Sequence, residues 1–191
     1  FATADYTPAE TAKIAHYQPR TEGDPAQIAR LVEMIETAER PILYTGGGVV
    51  NSGPRASQLL RELAAETDFP VTSTLMGLGS YPASGKNWVG MLGMHGLYEA
   101  NLAMHGCDMM INIGARFDDR ITGRIKDFSP GSRKAHIDID PSSINKVIRV
   151  EVPIVGDITR VLEETLRQWR ARGSRTAKAG LAMVRSPAAR S

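Results

Sequence analysis

Apolar residues fall along this chain in two alternating patterns: short continuous runs, and stripes at helical spacing. Ile28, Leu31, Val32 and Ile35 form one such stripe. Asp24-Pro25 just ahead of it supplies an N-cap and a proline for the first helical position, so a helix is predicted from there to about Glu39. Further helices are predicted at about Pro54 to Thr67 (burying Leu59, Leu60 and Leu63), Leu97 to Met104, a short one from about Ser142, and Ile158 to Arg170. Short runs predict strands at Pro41 to Thr45, Phe69 to Ser73, Met109 to Ile113 and Val152 to Val155, and a further strand is predicted at Lys134 to Ile139. The stretch carrying Pro82 and Trp88 reads as a loop. Strands alternating with helices imply βαβ units and a parallel α/β sheet.

Each predicted strand ends in glycine, aspartate or a Ser/Thr pair, residues that permit close backbone approach or offer hydrogen bonds. Ligands of open α/β sheets bind outside the strand carboxyl ends, so these ends are expected to share one rim and to hold a long ligand. Gly46-Gly47-Gly48 reads equally as a tight turn and as an anion-holding loop. It is not a dinucleotide fingerprint, because Asn51 occupies the last glycine place, and it lacks the Gly-Lys-Ser/Thr of a Walker A loop. Arg116, Asp118, Asp119 and Arg120 after the central strand are the strongest local signal. Arginine forks onto phosphate or carboxylate, and the alternative is an internal ion-pair lattice. Asp138 and Asp157 read as acceptors for ligand hydroxyls or as helix caps. Met76, Met91 and Met94 could floor an aromatic ring or simply fill space, and His95 could face a flat ligand or merely cap a turn.

Composition narrows the classes. The 191 residues suit one domain with a tail: 1–23 an approach segment, 24–172 the domain, 173–191 a flexible tail. The sequence opens at Phe1 and reads as a middle piece of a longer polypeptide. A net charge of +2 without basic-aromatic clusters argues against nucleic acid. No apolar run is long enough for a membrane span, and the single Cys107 points to a reducing cytoplasm. The four histidines are scattered, so no metal site is expected, and no Ser-His-Asp, His-Glu-x-x-His or paired-cysteine arrangement supplies catalytic residues.

From Gly90 to Gly123 the sequence closely resembles the catalytic subunit of the acetolactate synthase (acetohydroxyacid synthase) family. The pieces that carry this are Thr74-Leu75-Met76-Gly77-Leu78-Gly79, Gly90-Met91-Leu92-Gly93-Met94-His95-Gly96 and Gly114-Ala115-Arg116-Phe117-Asp118-Asp119-Arg120. His136-Ile137-Asp138-Ile139-Asp140 and Val155-Gly156-Asp157 follow in the same order. The resemblance, over about 24–170, implies a three-layer Rossmann-like sheet with helices on both faces, the central domain of a thiamine-diphosphate enzyme. It implies FAD in this domain, held by Gly47, Thr74, Leu75, Met76, Leu92, Gly93, Met94, His95, Gly114, Arg116, Asp118, Arg120, Asp138, Ile139, Asp157 and Ile158. It places Asp119 and Arg120 beside a substrate and inhibitor channel. Thiamine diphosphate and Mg²⁺ are implied only through flanking domains not present here, so the domain alone is expected to be inactive. A homodimer or tetramer with a regulatory subunit is implied for the whole enzyme, which joins pyruvate to pyruvate or 2-oxobutyrate. The alternative is a cofactor-free scaffold domain of a related sulfoacetaldehyde- or glyoxylate-type carboligase.

Overall fold

Asp24 caps the first helix, α1 (Pro25–Thr37), by accepting the Ala26 N–H at 2.8 Å. The computed structural model describes residues 19–173, so most of the predicted approach segment and tail lies outside the described residues. The chain continues through β1 (Pro41–Thr45), α2 (Gly47–Asn51), α3 (Pro54–Thr67), β2 (Val71–Ser73), β3 (Trp88–Met91) and α4 (Tyr98–Gly106). It closes with β4 (Met109–Ile113), α5 (Asp119–Thr122), β5 (Arg133–Asp138), β6 (Val152–Val155) and α6 (Ile158–Ala171). The strands form one six-stranded sheet in the order β3-β2-β1-β4-β5-β6, and every pairing is parallel. This is the Rossmann-like α/β architecture expected.

Parallel strands covered on both faces need apolar side chains throughout, and β1 and β4 are buried at every position. On one face Leu43, Ile111, Ile113, Ala135 and Ile137 pack with α1, α3 and α6 into the larger core cluster. On the other, Ile42, Tyr44 and Met110 pack with Ala100, Ala103 and Met104 of α4 and with Phe117 and Phe128. Successive residues of a strand point to opposite faces, so β5 sends Ala135 and Ile137 one way and Lys134, His136 and Asp138 the other.

Three sequence expectations are corrected. The stretch with Trp88 is not all loop: Trp88–Met91 adds a sixth strand beside β2. The segment after Asp140 forms turns rather than a helix. Its Asp140 carboxylate is spent on the Ser142 N–H and the Ser142 and Ser143 hydroxyls, and Asn145 (φ 60) then turns the chain left-handed. The loop after β4 is loop only to Asp118, after which Asp119–Thr122 make one helical turn.

On α6, Glu164 accepts from Arg167 Nε and from Gln168 Nε2, each at 2.7 Å. The Arg167 hydrogen bond, then that of Gln168, lowers its pKa from the ordinary 4.5 to about 2. A depressed carboxylate contributes stability above its unfolded value and loses it as pH falls through its folded value. Glu164→Gln is therefore expected to cost a little stability near neutral pH, no more than about 1 kcal/mol for a surface pair. The difference should vanish as pH is taken from 4.5 down to about 2, read from melting curves of both proteins.

Candidate functional site

The strand order reverses direction between β1 and β4, and the loops leaving these two strands touch. Gly46 N–H donates to the Ile113 carbonyl at 3.0 Å, and Gly48 N–H to the Gly114 carbonyl at 2.9 Å. Gly114 has φ 63, and a Cβ there would meet Gly48 Cα at 2.8 Å. Gly46 and Gly48 thus serve loop-to-loop packing. Gly47 instead opens α2 beside Met76, and the first amide of a helix has no carbonyl within its own helix to bond.

Above this seam lies a cleft of about 670 Å³, lined by the ends of β1, β2, β4, β5 and β6. That size suits an organic ligand, for which sites run from roughly 300 to 1,000 Å³. Gly47, Thr74, Leu75, Met76, Gly114, Arg116, Asp118 and Arg120 all line it. So do Asp138, Ile139, Asp157 and Ile158, together with Asp119. Leu92, Gly93, Met94 and His95 do not. Leu92 is buried in the smaller core cluster, and Gly93 is clasped by Asn101, which accepts its N–H at 2.9 Å and donates to its carbonyl at 3.0 Å. Met94 N–H reaches the Arg120 carbonyl at 3.2 Å, so this segment stands against α5, with Met94 and His95 exposed.

The loop that presents Arg116 is shaped from below. Buried Asn112 donates to the Ala115 carbonyl at 2.8 Å and accepts its N–H at 2.9 Å. Tyr44 donates its hydroxyl to the Arg116 carbonyl at 3.2 Å, and burial, then the Asp118 charge, pushes the phenol pKa up. Phe117 points inward, its ring 5.9 Å from Tyr44 and 5.7 Å from Phe128. Arg116 itself points outward, 72% exposed, with one nitrogen 3.1 Å from Asp118. The charged cluster is therefore not an internal lattice, since Asp119 and Arg120 are also solvent-facing and 3.9 Å apart. Exposed pairs of this kind are worth about 0–1 kcal/mol, so an incoming anion could displace Asp118 at small cost.

The two aspartates proposed as acceptors differ. Asp157 is committed: Oδ1 takes the Thr159 and Arg160 N–H groups as the α6 cap, and Oδ2 takes the Ser52 hydroxyl at 2.9 Å. Asp138 accepts the Asp140 N–H on Oδ1 at 2.9 Å, while its Oδ2 faces His136 Nε2 at 3.6 Å, too long for a hydrogen bond. Thr74 accepts the Gly77 N–H at 3.1 Å, which leaves its own hydroxyl proton to donate. Apolar floor comes from Leu75, Met76, Ile139 and Ile158. Asn51 and Ser52 also line the cleft, four residues beyond Gly47 and Gly48 and hence one helical turn on. That spacing could have flagged them in the sequence.

Residues 28–165 match the model of the thiamine pyrophosphate enzyme central domain, which is most of the chain. The chain belongs to that family. It is also similar to the acetolactate synthase isozyme 3 large subunit of Escherichia coli (strain K12), at 43% identity over 157 residues, 82% of this chain and 27% of that protein. A probable acetolactate synthase large subunit of Methanocaldococcus jannaschii is 47% identical over 150 residues, 78% of this chain and 25% of its own length. An acetolactate synthase of Mycobacterium avium is 42% identical over 158 residues, 83% of this chain and 25% of its own. The chain thus spans about a quarter of the length of the curated relatives it matches. Among the described residues of this thiamine pyrophosphate enzyme domain, no group of three or more His, Cys, Asp or Glu side chains could hold a metal ion. None of its described helices is long and apolar enough to cross a membrane.

Proposed function

We propose that this chain is the FAD-holding central domain of an acetolactate synthase, acting within a longer enzyme that joins pyruvate to pyruvate or 2-oxobutyrate. The observation that carries the reading is the convergence of five separate strand ends on one cleft, with Arg116 and Asp138 both lining it. The residues present suit FAD. Arg116 and the Gly47 amide would meet the diphosphate, Asp138 and Thr74 the hydroxyls, and Met76, Leu75, Ile139 and Ile158 the rings. Gly114, Asp118, Arg120 and Asp157 would complete the walls, Asp157 through its cap rather than a free oxygen. Leu92 and Gly93 would act by backing α5, while Met94 and His95, exposed beyond it, would meet whichever end of the ligand overhangs the cleft. A bound flavin would supply a redox-capable ring system, which the family resemblance assigns no net redox part.

Asp119 and Arg120 at the outer rim would face the substrate channel once the rest of the enzyme is in place. Thiamine diphosphate and Mg²⁺ would be held by flanking domains, and the relatives' description as large subunits supports a smaller regulatory partner. A cytoplasmic homodimer or tetramer is the assembly proposed. The competing reading, a scaffold without cofactor, draws on Arg116 already having Asp118 and on Asp157 being spent as a cap.

Titration of the purified chain with FAD, followed by flavin absorbance and fluorescence quenching, separates the two. Saturable binding at one site is expected, with no acetolactate formed from pyruvate by the chain alone. Binding no tighter than that of free riboflavin, with no flavin released from the denatured protein, would favour the scaffold.

A further inference from the structure

We infer that His136 is a positioning residue: its Nε2–H holds the Asp138 carboxylate in the orientation that accepts a ligand hydroxyl. The inference rests on the reading of the cleft as a nucleotide site, but the contact it invokes belongs to the ligand-free chain.

His136 is wholly buried, and among the described residues neither ring nitrogen has a hydrogen-bond partner. A neutral imidazole always carries one N–H, and leaving that donor buried and unmade is unfavourable. The group facing it is Asp138, two residues along β5 on the same side of the sheet, with Oδ2 at 3.6 Å from Nε2. A small rotation of either side chain brings that separation into hydrogen-bond range, about 2.9 Å. The other carboxylate oxygen is already tied to the Asp140 N–H at 2.9 Å. Two donors on two oxygens would fix the plane of the carboxylate, leaving the remaining lone pairs turned to the cleft that Asp138 lines.

The ring is also clamped from the opposite wall. Phe117, between Arg116 and Asp118, meets His136 edge to face at 5.3 Å between ring centres. One imidazole therefore touches the residue that would take a hydroxyl and the loop that would take a phosphate. A purely apolar side chain could satisfy Phe117 but not Asp138. That is the physical reason for a histidine at a site buried as deeply as Ile137 next to it.

Two measurements test this on the 191-residue chain. Long-range proton–nitrogen NMR of the ligand-free protein should show His136 as a single tautomer protonated at Nε2, and Asp138→Asn should change that signature. A ring that samples both tautomers, or one indifferent to Asp138→Asn, overturns the inference. In FAD titrations, His136→Leu should weaken binding about tenfold, the low end for one charge-assisted hydrogen bond. His136→Gln, which keeps a donor near the Nε2 position, should recover most of it. Asp138→Asn combined with His136→Leu should bind no more weakly than the worse single variant, because both remove the same contact. Additive losses, or equal losses for the Leu and Gln variants, would assign His136 a packing role only. If the unaltered chain binds no FAD, the flavin reading fails and the imidazole spectrum alone decides the inference.

Discussion

Gly46→Ala is expected to cost about 3 kcal/mol of stability, the upper end for overpacking a close-packed site. The added methyl would lie far inside van der Waals contact with the Gly114 carbonyl oxygen and with Ala115 Cα. Both are backbone atoms, held by the Gly46–Ile113 and Gly48–Gly114 hydrogen bonds, so neither can yield as a flexible side chain would. The β1 and β4 loops would have to part, breaking those bonds and opening the seam beneath the cleft. For a domain of this size the melting temperature should fall by roughly 6–12 °C. FAD affinity should fall with it, because Arg116 and Gly47 stand on the two separated loops. Gly131→Ala is the control: among the described residues nothing lies within 4 Å of the added atom, and the change should stay within about 0.5 kcal/mol. Equal melting temperatures for the two variants would show that the loops are not packed as described.

Arg116→Ala should do the opposite, leaving the fold alone and removing ligand affinity. Its side chain is 72% exposed and its Asp118 contact is an open surface pair, so the melting temperature should barely move. Against a diphosphate the same guanidinium makes charge-assisted hydrogen bonds in a partly enclosed cleft, worth about 1.5–3 kcal/mol. FAD should therefore bind about 10- to 100-fold more weakly. Arg116→Lys should recover part of the loss, since the charge remains while the planar fork does not. Raising salt should narrow the gap between the unaltered chain and the alanine variant. Equal FAD affinity in all three proteins would remove Arg116 from the proposed site.

The parts of this fold that could be read from the sequence are those governed by local pattern. β1 and β4 announce themselves as nearly continuous apolar runs because they are covered on both faces, while β5 shows in the alternation of Ala135 and Ile137 with polar residues. α1, α3 and α6 do so because one stripe of each faces the sheet. β3 gave no such sign: Trp88-Val89-Gly90-Met91 is short, and Gly90 (φ 102) reads as a break. It is a strand because β2 makes it one, with Thr72 donating its hydroxyl to the Gly90 carbonyl at 2.9 Å. Asp140-Pro141 misled for the converse reason. It has the cap and proline of a helix start, as Asp24-Pro25 does, and Ile144, Val147 and Ile148 follow at helical spacing, but the left-handed turn at Asn145 (φ 60) stops a helix from running.

The site divides the same way. Strand-end residues such as Gly47, Thr74, Arg116 and Asp138 could be placed on one rim from topology alone. What topology does not carry is long-range hydrogen bonding. Asn101 grips Gly93 and holds the Leu92–His95 segment against α5, so that it does not itself line the cleft. Asp157 is drawn to Ser52, 105 residues distant in sequence, and is thereby lost as a free acceptor.

The Gly46–Gly48 and Gly114 contact has a consequence for how such a domain could diverge. With glycine backbone packed on backbone where the β1 and β4 loops meet, their meeting line tolerates almost no substitution and keeps one shape. Leu75, Met76 and Ile139, by contrast, project from short turns into open space and are at least 43% exposed. New ligand preferences could be written on those projecting positions, one residue at a time, while the foundation beneath them stays unaltered.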